Sequence, residues 1–438
     1  MVYQSFKLFL WVSLLMVWPM LIACQSNGLS TLFAAANAAE RTEEKLPPPA
    51  SGAQQSDSFL SLTELWSFDT AGTLNDHPLL YAGAAYIATR EGDLFALDVA
   101  TGEELWRYTA PDGLWERSLA LVDPSTLTET STLTETSALT ETSALTEASA
   151  LSQTLLIVGL PEQLLVGLDA QTGQERWRTT LVGDVQRPAL VAGERLYVGT
   201  TFVGRGLAND PTEQAWLYSL DAATGQIDWS VETDNYAVVT PAIFEDRLYA
   251  GGSYFDPAIE VDEGGPMRIY ALDAATGQIE WTTEGVAGFI KSLHADAERL
   301  HYLAYQDKLF ALDTETGRQT WAYNTENWTP SFLVTEDILY FGSANAFMHA
   351  LNPLTGRRLW KFNIDGTFNF PLEAPQRLDD ILYFHTIRRE VYALQADTGE
   401  LLWQARHQVP GREALLVTDK QLYVTGRDGT LYAFARPR

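Results

Sequence analysis

Side chains able to perform chemistry are few in this sequence and widely scattered. The chain of 438 residues has six histidines and a single cysteine, Cys24. One cysteine excludes an intrachain disulfide and a zinc site of several thiolates. His294 and His301 flank a short turn, so we expect them to face each other across a hairpin, with Cβ atoms about 5 Å apart. Two ligands make a weak metal site, and polar positions on strands explain both residues without a metal.

Four carboxylates in one short segment are the other candidate metal ligands. They could hold calcium, but they lack the spacing of an EF-hand, and a solvated loop is the favoured interpretation. The sequence also contains no nucleophile elbow, phosphate-binding loop or zinc-protease motif. We therefore expect no catalytic residue, no metal site and no cofactor. The carboxylates are Asp256, Glu260, Asp262 and Glu263.

The charge balance excludes two classes of partner. Lys and Arg total 29 against 57 Asp and Glu, which gives a formal net charge of -28. Binding to nucleic acid requires a basic face for the phosphates, and docking by charge to an anionic membrane requires one as well. The hydrophobic fraction of 46% is sufficient for a large folded core.

The feature that organises the chain is a repeat of about forty residues. Each copy has an apolar segment, an Asp-x-x-Thr-Gly step or a close variant of it, and a tryptophan four residues after the glycine. Longer intervals between copies contain insertions. The seven copies end at Gly102 and Trp106, Gly173 and Trp177, Gly225 and Trp229, Gly277 and Trp281, Gly317 and Trp321, Gly356 and Trp360, and Gly399 and Trp403.

Each repeat predicts four antiparallel strands. Alternating runs such as Leu196–Gly199 and Leu217–Asp221 indicate strands with a buried face. The Asp-x-x-Thr-Gly step predicts a turn, because Asp can bond backbone N–H groups and Gly supplies a positive φ. Four short strands in a unit of this length are typical of a β-propeller blade.

The two ends of the chain together predict one more blade. Trp66 has no Thr-Gly turn before it, and the C-terminal strands have no tryptophan strand after them. We therefore predict an all-β, eight-bladed β-propeller in which the N-terminal strand is the outermost strand beside the C-terminal ones, so that the ring is closed and its edges are protected. One tryptophan per blade is expected to dock against the neighbouring blade: Trp66, Trp106, Trp177, Trp229, Trp281, Trp321, Trp360 and Trp403.

These motifs resemble the PQQ-type propeller repeat with its tryptophan-docking motif, over about 62–436. Together with the N-terminal features below, the sequence is similar to the BamB family, the propeller lipoproteins of the machinery that assembles outer-membrane β-barrels. The resemblance implies a non-catalytic role. Enzymatic members of the PQQ family use a vicinal cysteine pair beside the quinone, and Cys24 is alone. We therefore assign no PQQ site.

The N-terminus is expected to contain an export signal followed by a membrane anchor. Residues 1–23 have one charged side chain, Lys7, before an apolar run too short for a membrane span, which is typical of a signal peptide. The run ends Leu21-Ile22-Ala23-Cys24, which resembles a bacterial lipobox and implies lipidation of Cys24. Residues 24–61 are predicted to be a lipidated, disordered tether. Gln25 implies the outer membrane, if the cell has one, and otherwise the extracellular face of the cell membrane. An ordinary secretory signal remains the alternative.

Three insertions interrupt the predicted blades. Residues 125–154 contain five hexapeptide copies without strand or helix period, so we predict a disordered, low-complexity loop in the second blade. Two others, at 204–214 and 254–266, lie between the second and third strands of their blades. Antiparallel connectivity places these two on the opposite face from the hexapeptide loop, where they are candidates for partner contacts or for neutral surface growth.

A column of residues at the start of the innermost strands predicts a ring of charge at one mouth of the channel. Its basic members are Arg117, Arg187, Lys291 and Arg412. In so acidic a protein, this ring would suit an anion or an acidic segment. The alternative is local pairing with carboxylates such as Glu116 and Glu413. In the seventh blade, the spacing from the tryptophan places Phe370 in this column, and Pro375 fits the spacing as well.

The function we expect is that of a membrane-tethered, extracytoplasmic scaffold for protein partners. By the family resemblance, those partners are the outer-membrane assembly machinery or unfolded barrel proteins. The chain contacts the membrane through its lipid and binds no nucleic acid. A sensor or solute-binding propeller, or a degenerate quinoprotein dehydrogenase, is the alternative.

Overall fold

A computed structural model describes residues 59–74, 77–115, 118–123, 154–201, 215–233, 237–253, 268–284, 290–304, 307–364, 366, 369–410 and 414–437. The regular secondary-structure elements in these ranges are all β-strands. None of the described residues forms a helix long and apolar enough to cross a membrane. The strands form eight sheets, the blades of a propeller, each built on four antiparallel strands. The predicted eight-bladed, all-β propeller is confirmed.

The first half of the ring follows the N-terminal strands β1 (Leu60–Ser61) and β2 (Glu64–Asp69). Blade 1 contains β3 (Leu79–Tyr81), β4 (Ala84–Ala88), β5 (Asp93–Asp98) and β6 (Glu104–Thr109). Blade 2 contains β7 (Ala120–Val122), β8 (Leu155–Leu160), β9 (Leu164–Asp169) and β10 (Glu175–Thr180). Blade 3 contains β11 (Leu190–Ala192), β12 (Arg195–Gly199), β13 (Trp216–Asp221) and β14 (Ile227–Glu232). Blade 4 contains β15 (Ala237–Val238), β16 (Ala242–Phe244), β17 (Arg247–Ser253), β18 (Arg268–Asp273) and β19 (Ile279–Glu284).

The second half has the same plan. Blade 5 contains β20 (Ile290–Ala295), β21 (Arg299–Ala304), β22 (Lys308–Asp313) and β23 (Gln319–Asn324). Blade 6 contains β24 (Phe332–Val334), β25 (Leu339–Ser343), β26 (Phe347–Leu351) and β27 (Arg358–Asn363). Blade 7 contains β28 (Gln376–Leu378), β29 (Ile381–His385), β30 (Glu390–Gln395) and β31 (Leu401–Arg406). Blade 8 contains β32 (Leu415–Val417), β33 (Gln421–Thr425) and β34 (Thr430–Ala435).

Burial differs between the middle and the outer strands of a blade. Every residue of β4 and of β8 is buried, because each face of a blade packs against a neighbouring blade. The outer strand β10 instead buries only Trp177, since its edge and much of both faces lie in solvent. The core is therefore divided into clusters between adjacent blades: Tyr86 and Leu94 of blade 1, for example, share a cluster with Leu156 and Leu168 of blade 2.

The two ends of the chain close the ring in one sheet. Strand β2 pairs antiparallel with β34, and the sheet order is β2, β34, β33, β32. Trp66 lies opposite Ala433, and Ser67 lies opposite Tyr432. The predicted closure by an N-terminal outermost strand is confirmed.

Strand β1 is an addition that the sequence does not predict. It pairs in parallel with the outer strand of blade 7, with Leu60 opposite Ala405 and Ser61 opposite Arg406. The strand occupies the last two residues of the segment 24–61, which the sequence analysis assigns to the tether. Two residues are too few to show an alternating pattern. Blade 7 therefore has five strands.

The predicted insertions fall between the strands that the sequence analysis assigned to them. The hexapeptide segment lies between β7 and β8, the 204–214 insertion between β12 and β13, and the 254–266 insertion between β17 and β18. These segments, apart from Thr154, lie outside the described residues, as do the predicted signal peptide and the tether up to Ser58.

Candidate functional site

The turn before each tryptophan strand is held by its own side chains. In blade 1, Oδ1 of Asp98 accepts the backbone N–H groups of Ala100 and Thr101, both at 2.9 Å, and also the Thr101 hydroxyl. Gly102 follows with φ of 75°. This left-handed conformation suits glycine, which has no Cβ.

Each such turn receives the indole of the preceding blade. Nε1 of Trp66 donates to the carbonyl of Val99 at 3.0 Å, and a Cβ on Gly102 would lie only 2.6 Å from the Trp66 ring. Glycine therefore sets how closely the two blades approach. The same bond joins Trp106, Trp177, Trp229, Trp281, Trp321 and Trp360 to the carbonyls of Ala170, Ala222, Ala274, Thr314, Pro353 and Ala396.

Trp403 has a different environment from the other seven tryptophans. Its ring lies 5.9 Å from that of Tyr383 in its own blade, a contact that other docking tryptophans such as Trp106 also make, so the difference lies in the next blade. The third strand of blade 8 is followed by Arg436 and not by a Thr-Gly turn, and the Arg436 guanidinium donates to the Tyr383 hydroxyl at 3.1 Å. The eighth junction thus uses an arginine where the others use a turn.

Of the two histidines considered as metal ligands, His301 belongs to this docking arrangement. His294 and His301 are opposite each other across the hairpin, with ring centres 6.2 Å apart. Nε2 of His301 lies 2.9 Å from the Pro353 carbonyl, which also accepts the indole of Trp321. Tyrosine hydroxyls make the equivalent second bond at other junctions: Tyr86, Tyr197 and Tyr249 donate to Ala170, Ala274 and Thr314.

Burial keeps both histidines neutral. It lowers the pKa of His294 to about 4, with the neighbouring His301 contributing, and it also lowers the pKa of His301. Over the described ranges, no group of three or more His, Cys, Asp or Glu side chains could hold a metal ion. The acidic segment from Asp256 to Glu263 lies outside those ranges.

The predicted ring of basic residues is only partly described. Arg117 and Arg412 lie outside the described residues, and Arg187 is exposed. Nζ of Lys291 donates to the Thr329 carbonyl at 2.8 Å and lies 5.5 Å from the ring centre of Trp328. Burial lowers the pKa of Lys291, and the nearby Asp307 opposes that effect.

Acidic groups share this mouth of the channel with the basic ones. His77, before blade 1, lies 2.6 Å from the carboxylate of Glu373, before blade 7. Asp307 is close enough to Lys291 for each to shift the pKa of the other. The described part of the mouth is therefore mixed in charge.

In blade 7 the innermost strand starts at Gln376, so the column passes through Pro375 and not Phe370.

The outer rim carries exposed aliphatic side chains. Leu65, Leu105, Ile227, Ile279 and Leu402 lie on the outer strands of five different blades, and each is exposed. Each lies one or two residues before a docking tryptophan on the outermost strand of its blade. Only blade 7, among the blades as described, has a further strand on its outer side, which is β1.

A polar cluster at this edge of blade 7 was missed by sequence reasoning. The buried carboxylate of Glu390 accepts hydrogen bonds from Asn369 at 2.7 Å, from the Tyr392 hydroxyl at 2.9 Å, and from Arg406. The Arg406 guanidinium also lies 4.3 Å from the ring centre of Phe59, next to β1. Its members come from three separate segments of the chain, so no motif in the sequence signals it.

Known proteins match this ring over most of its length. A family model described as outer membrane protein assembly factor BamB matches residues 114–265, 213–373 and 348–436. The chain belongs to this family. The outer membrane protein assembly factor BamB of Yersinia pestis is 23% identical over 73% of the chain and 86% of its own length.

Two further matches set the limits of the comparison. The crystal structure of BamB from Moraxella catarrhalis superposes with a TM-score of 0.59 at 19% identity, covering 86% of this chain and all of that one. At this identity the likeness shows the shared fold alone. A polyvinylalcohol dehydrogenase from Sphingopyxis is 25% identical over 51% of the chain, which spans only 35% of that enzyme. The chain therefore belongs to the BamB family and is also similar to a dehydrogenase over about half of its length.

Proposed function

We propose that this protein is a non-catalytic, membrane-tethered scaffold of the cell envelope that binds extended segments of outer-membrane barrel proteins or of their assembly machinery. Its membership in the BamB family supports the envelope role. The observation that carries the binding mode is the parallel pairing of β1 with β31, in which an outer blade edge accepts an additional strand.

The other outer edges have the same chemistry. As described, the outermost strands of blades 1 to 6 each have one ladder partner. The unpaired side of such a strand presents backbone N–H and C=O groups to any extended chain. Strand addition takes its affinity from main-chain bonds and its selectivity from alternate side chains. Exposed aliphatic residues such as Leu105 and Ile279 provide apolar contacts beside those edges.

We also propose that the anchor is a lipid on Cys24, in the outer membrane where the cell has one. The support is the resemblance of residues 21–24 to a lipobox and the family membership. Lipid chains contribute about 0.8 kcal/mol per buried methylene, so two or more chains give stable attachment.

Site-specific photo-crosslinking in native envelopes tests the strand-addition proposal. A photoreactive amino acid at Leu105, 55% exposed on β6, should capture a barrel precursor or an assembly factor. The same group at Leu354, 44% exposed in a docking turn of blade 6, is the matched control and should capture neither. Equal capture at both positions, or none at Leu105 and Ile279, would contradict the proposal.

A degenerate quinoprotein is the second candidate, favoured by the similarity to the dehydrogenase. It predicts that quinone and calcium bind the purified protein and produce a new absorbance band. We expect no such band, because enzymes of that family place a vicinal cysteine pair beside the quinone and this chain has only Cys24.

A sensor or solute-binding propeller would use the axial mouth. We keep the ring of Arg117, Arg187, Lys291 and Arg412 as a proposed anion-binding feature. Replacing Arg187 and Arg412 together should weaken binding of an acidic peptide at low salt, and unchanged affinity would reject it.

A further inference from the structure

The outer edge of blade 7 has a smaller side chain at one repeat position than the outer edges of the other blades. The residue two places after the docking tryptophan is Ala405 in blade 7 and is aromatic or β-branched elsewhere. Trp403 packs in the cluster between blades 7 and 8, and side chains two residues apart on a strand point to the same face. Ala405 therefore leaves room on the face towards blade 8. The larger equivalents are Phe68, Tyr108, Thr179, Val231, Thr283, Tyr323 and Phe362.

The segment around β1 fills this edge from both faces of the blade. Phe59 packs in the cluster between blades 6 and 7, where its ring centre lies 6.5 Å from that of Tyr392 and 4.3 Å from the Arg406 guanidinium. Leu62 packs in the cluster between blades 7 and 8. Ala405 is fully buried although it lies on an outer strand. Two apolar side chains three residues apart therefore hold the segment, with backbone pairing between them.

The contact made by Phe59 is prepared within blade 7. The carboxylate of Glu390, which is 2% exposed, accepts a hydrogen bond from Arg406 and others from Asn369 and the Tyr392 hydroxyl. The ion pair joins β30 to β31 and includes no atom of β1. An arginine fixed in this way offers its guanidinium to any aromatic ring that lies on the edge.

The segment that occupies this edge is short enough to be exchanged. Strand β1 makes two ladder pairs, and Leu60 between the two inserted side chains is 45% exposed. Terminal segments with few buried contacts open at a small fraction of the global free energy of unfolding. Opening does not break the ring, because the closing strand β2 pairs separately with β34.

We propose that the outer edge of blade 7 is a receptor for extended segments of unfolded polypeptide that carry an aromatic residue followed three positions later by leucine, and that residues 59–62 occupy it as an intramolecular competitor. This proposal rests on the strand addition proposed above and assigns it a sequence pattern. An incoming segment places its aromatic ring against Arg406 and Tyr392 and its backbone along β31. Because the chain's own segment is always at high effective concentration, weakly binding segments are excluded.

Competition by a peptide tests the receptor. The probe is a fluorescent decapeptide with the sequence of residues 55–64, titrated with the full chain and followed by anisotropy. The opened variant carries Phe59→Ser and Leu62→Ser and keeps β2. We expect it to bind the peptide about fivefold more tightly than the unaltered chain, or more, because its own segment no longer occupies the edge. Equal affinity, or no saturable binding to the opened variant, would overturn the proposal.

Two controls separate the inserted side chains from general apolar binding. Leu60→Ser removes the exposed leucine of the same segment and should bind the peptide as the unaltered chain does. A decapeptide with serine at the positions of Phe59 and Leu62 should not bind the opened variant, and binding of this peptide would contradict the sequence pattern. Thermal unfolding checks that each variant folds. If the opened variant does not, Phe59→Ser alone replaces it in the comparison.

Photo-labelling locates the bound peptide. A decapeptide with benzoylphenylalanine at the position of Phe59 should label β30 or β31 of the opened variant. Labelling confined to another blade would overturn the receptor at blade 7 and leave strand addition at the other edges in place. Absence of capture at Leu105 and Ile279 in envelopes would instead contradict strand addition as the general function, whichever blade the peptide labels.

Discussion

At each blade junction, one glycine controls the approach of an indole. Gly225 has φ of 69°, and a Cβ there would lie 2.3 Å from the ring of Trp177. Gly225→Ala therefore meets both the left-handed backbone penalty and an overpacked contact. We expect a loss of about 2–4 kcal/mol in the free energy of unfolding, measured by urea denaturation.

Gly193 separates the two contributions. It also has a positive φ, of 59°, but a Cβ on it would meet nothing within 4 Å. Gly193→Ala should cost only the backbone part, about 1–2 kcal/mol. Equal losses in the two variants would show that contact with the indole does not limit the junction.

Buried histidines make stability depend on pH. Burial lowers the pKa of His294 to about 4 and the pKa values of His349 and His407 to about 3. Unfolded histidine titrates near 6.5, so between that pH and the folded pKa the unfolded state binds more protons. Their stabilising contribution is complete above pH 6.5 and decreases as the pH falls, by about 1.4 kcal/mol per pH unit for each histidine.

We predict that His349→Phe flattens this dependence. His349 is stacked on Phe341, with ring centres 4.6 Å apart, so phenylalanine should fit the same layer. Urea denaturation at pH 8, 6, 5 and 4.5 measures the slope, and the value at pH 8 isolates any change in packing. Identical slopes in the two proteins between pH 6 and 4.5 would show that His349 is not held neutral by the fold.

Single residues differ in how well the sequence predicts them. The tryptophans recur at a fixed distance from a glycine, so the repeat pattern alone shows that they are equivalent. The contacts of Lys291 with Thr329 and of Glu390 with Arg406 join segments of irregular spacing, and no period reveals them. For His301 the sequence predicts one contact and misses another. Its position opposite His294 follows from the hairpin, but its bond to Pro353 depends on how the next blade packs.

At the level of strands, the ring depends on its closing segment far more than on β1. Strand β2 supplies the whole outer edge of blade 8 and the buried Trp66, whereas β1 supplies two ladder pairs on an edge that is already complete. The sequence predicts β2 because it has the tryptophan pattern of an outer strand. It does not predict β1, because the pairing of two residues with a strand more than 300 residues away depends on the tertiary position of blade 7.

Two truncations test this difference. A chain that begins at Leu62 lacks β1 and should lose about 1–2 kcal/mol, since a typical hydrogen bond contributes about 0.5–1.5 kcal/mol net. A chain that begins at Ala71 also lacks β2 and should lose at least about 3–5 kcal/mol, the usual cost of removing a buried tryptophan. Thermal unfolding followed by circular dichroism compares them. Similar transitions for both chains would mean that blade 8 does not close the ring.

For the whole molecule, net charge and anchoring must be considered together. A charge of -28 keeps the ring from docking by electrostatics on an anionic surface. The membrane attachment proposed above is therefore expected to come from the N-terminal segment.

We predict that Cys24→Ser moves the protein from the membrane fraction to the soluble fraction of the envelope. The variant removes the thiol that would carry the lipid, and an anionic membrane surface repels the remaining acidic chain. Ser26→Ala, two residues further on, is the matched control and should stay with the membrane. Fractionation in high salt checks the result, because salt screens charge but does not weaken acyl chains. If Cys24→Ser still sediments with membranes in high salt, attachment comes from the apolar segment at residues 8–23 or from a membrane-bound partner, and the tether is not lipidated at Cys24.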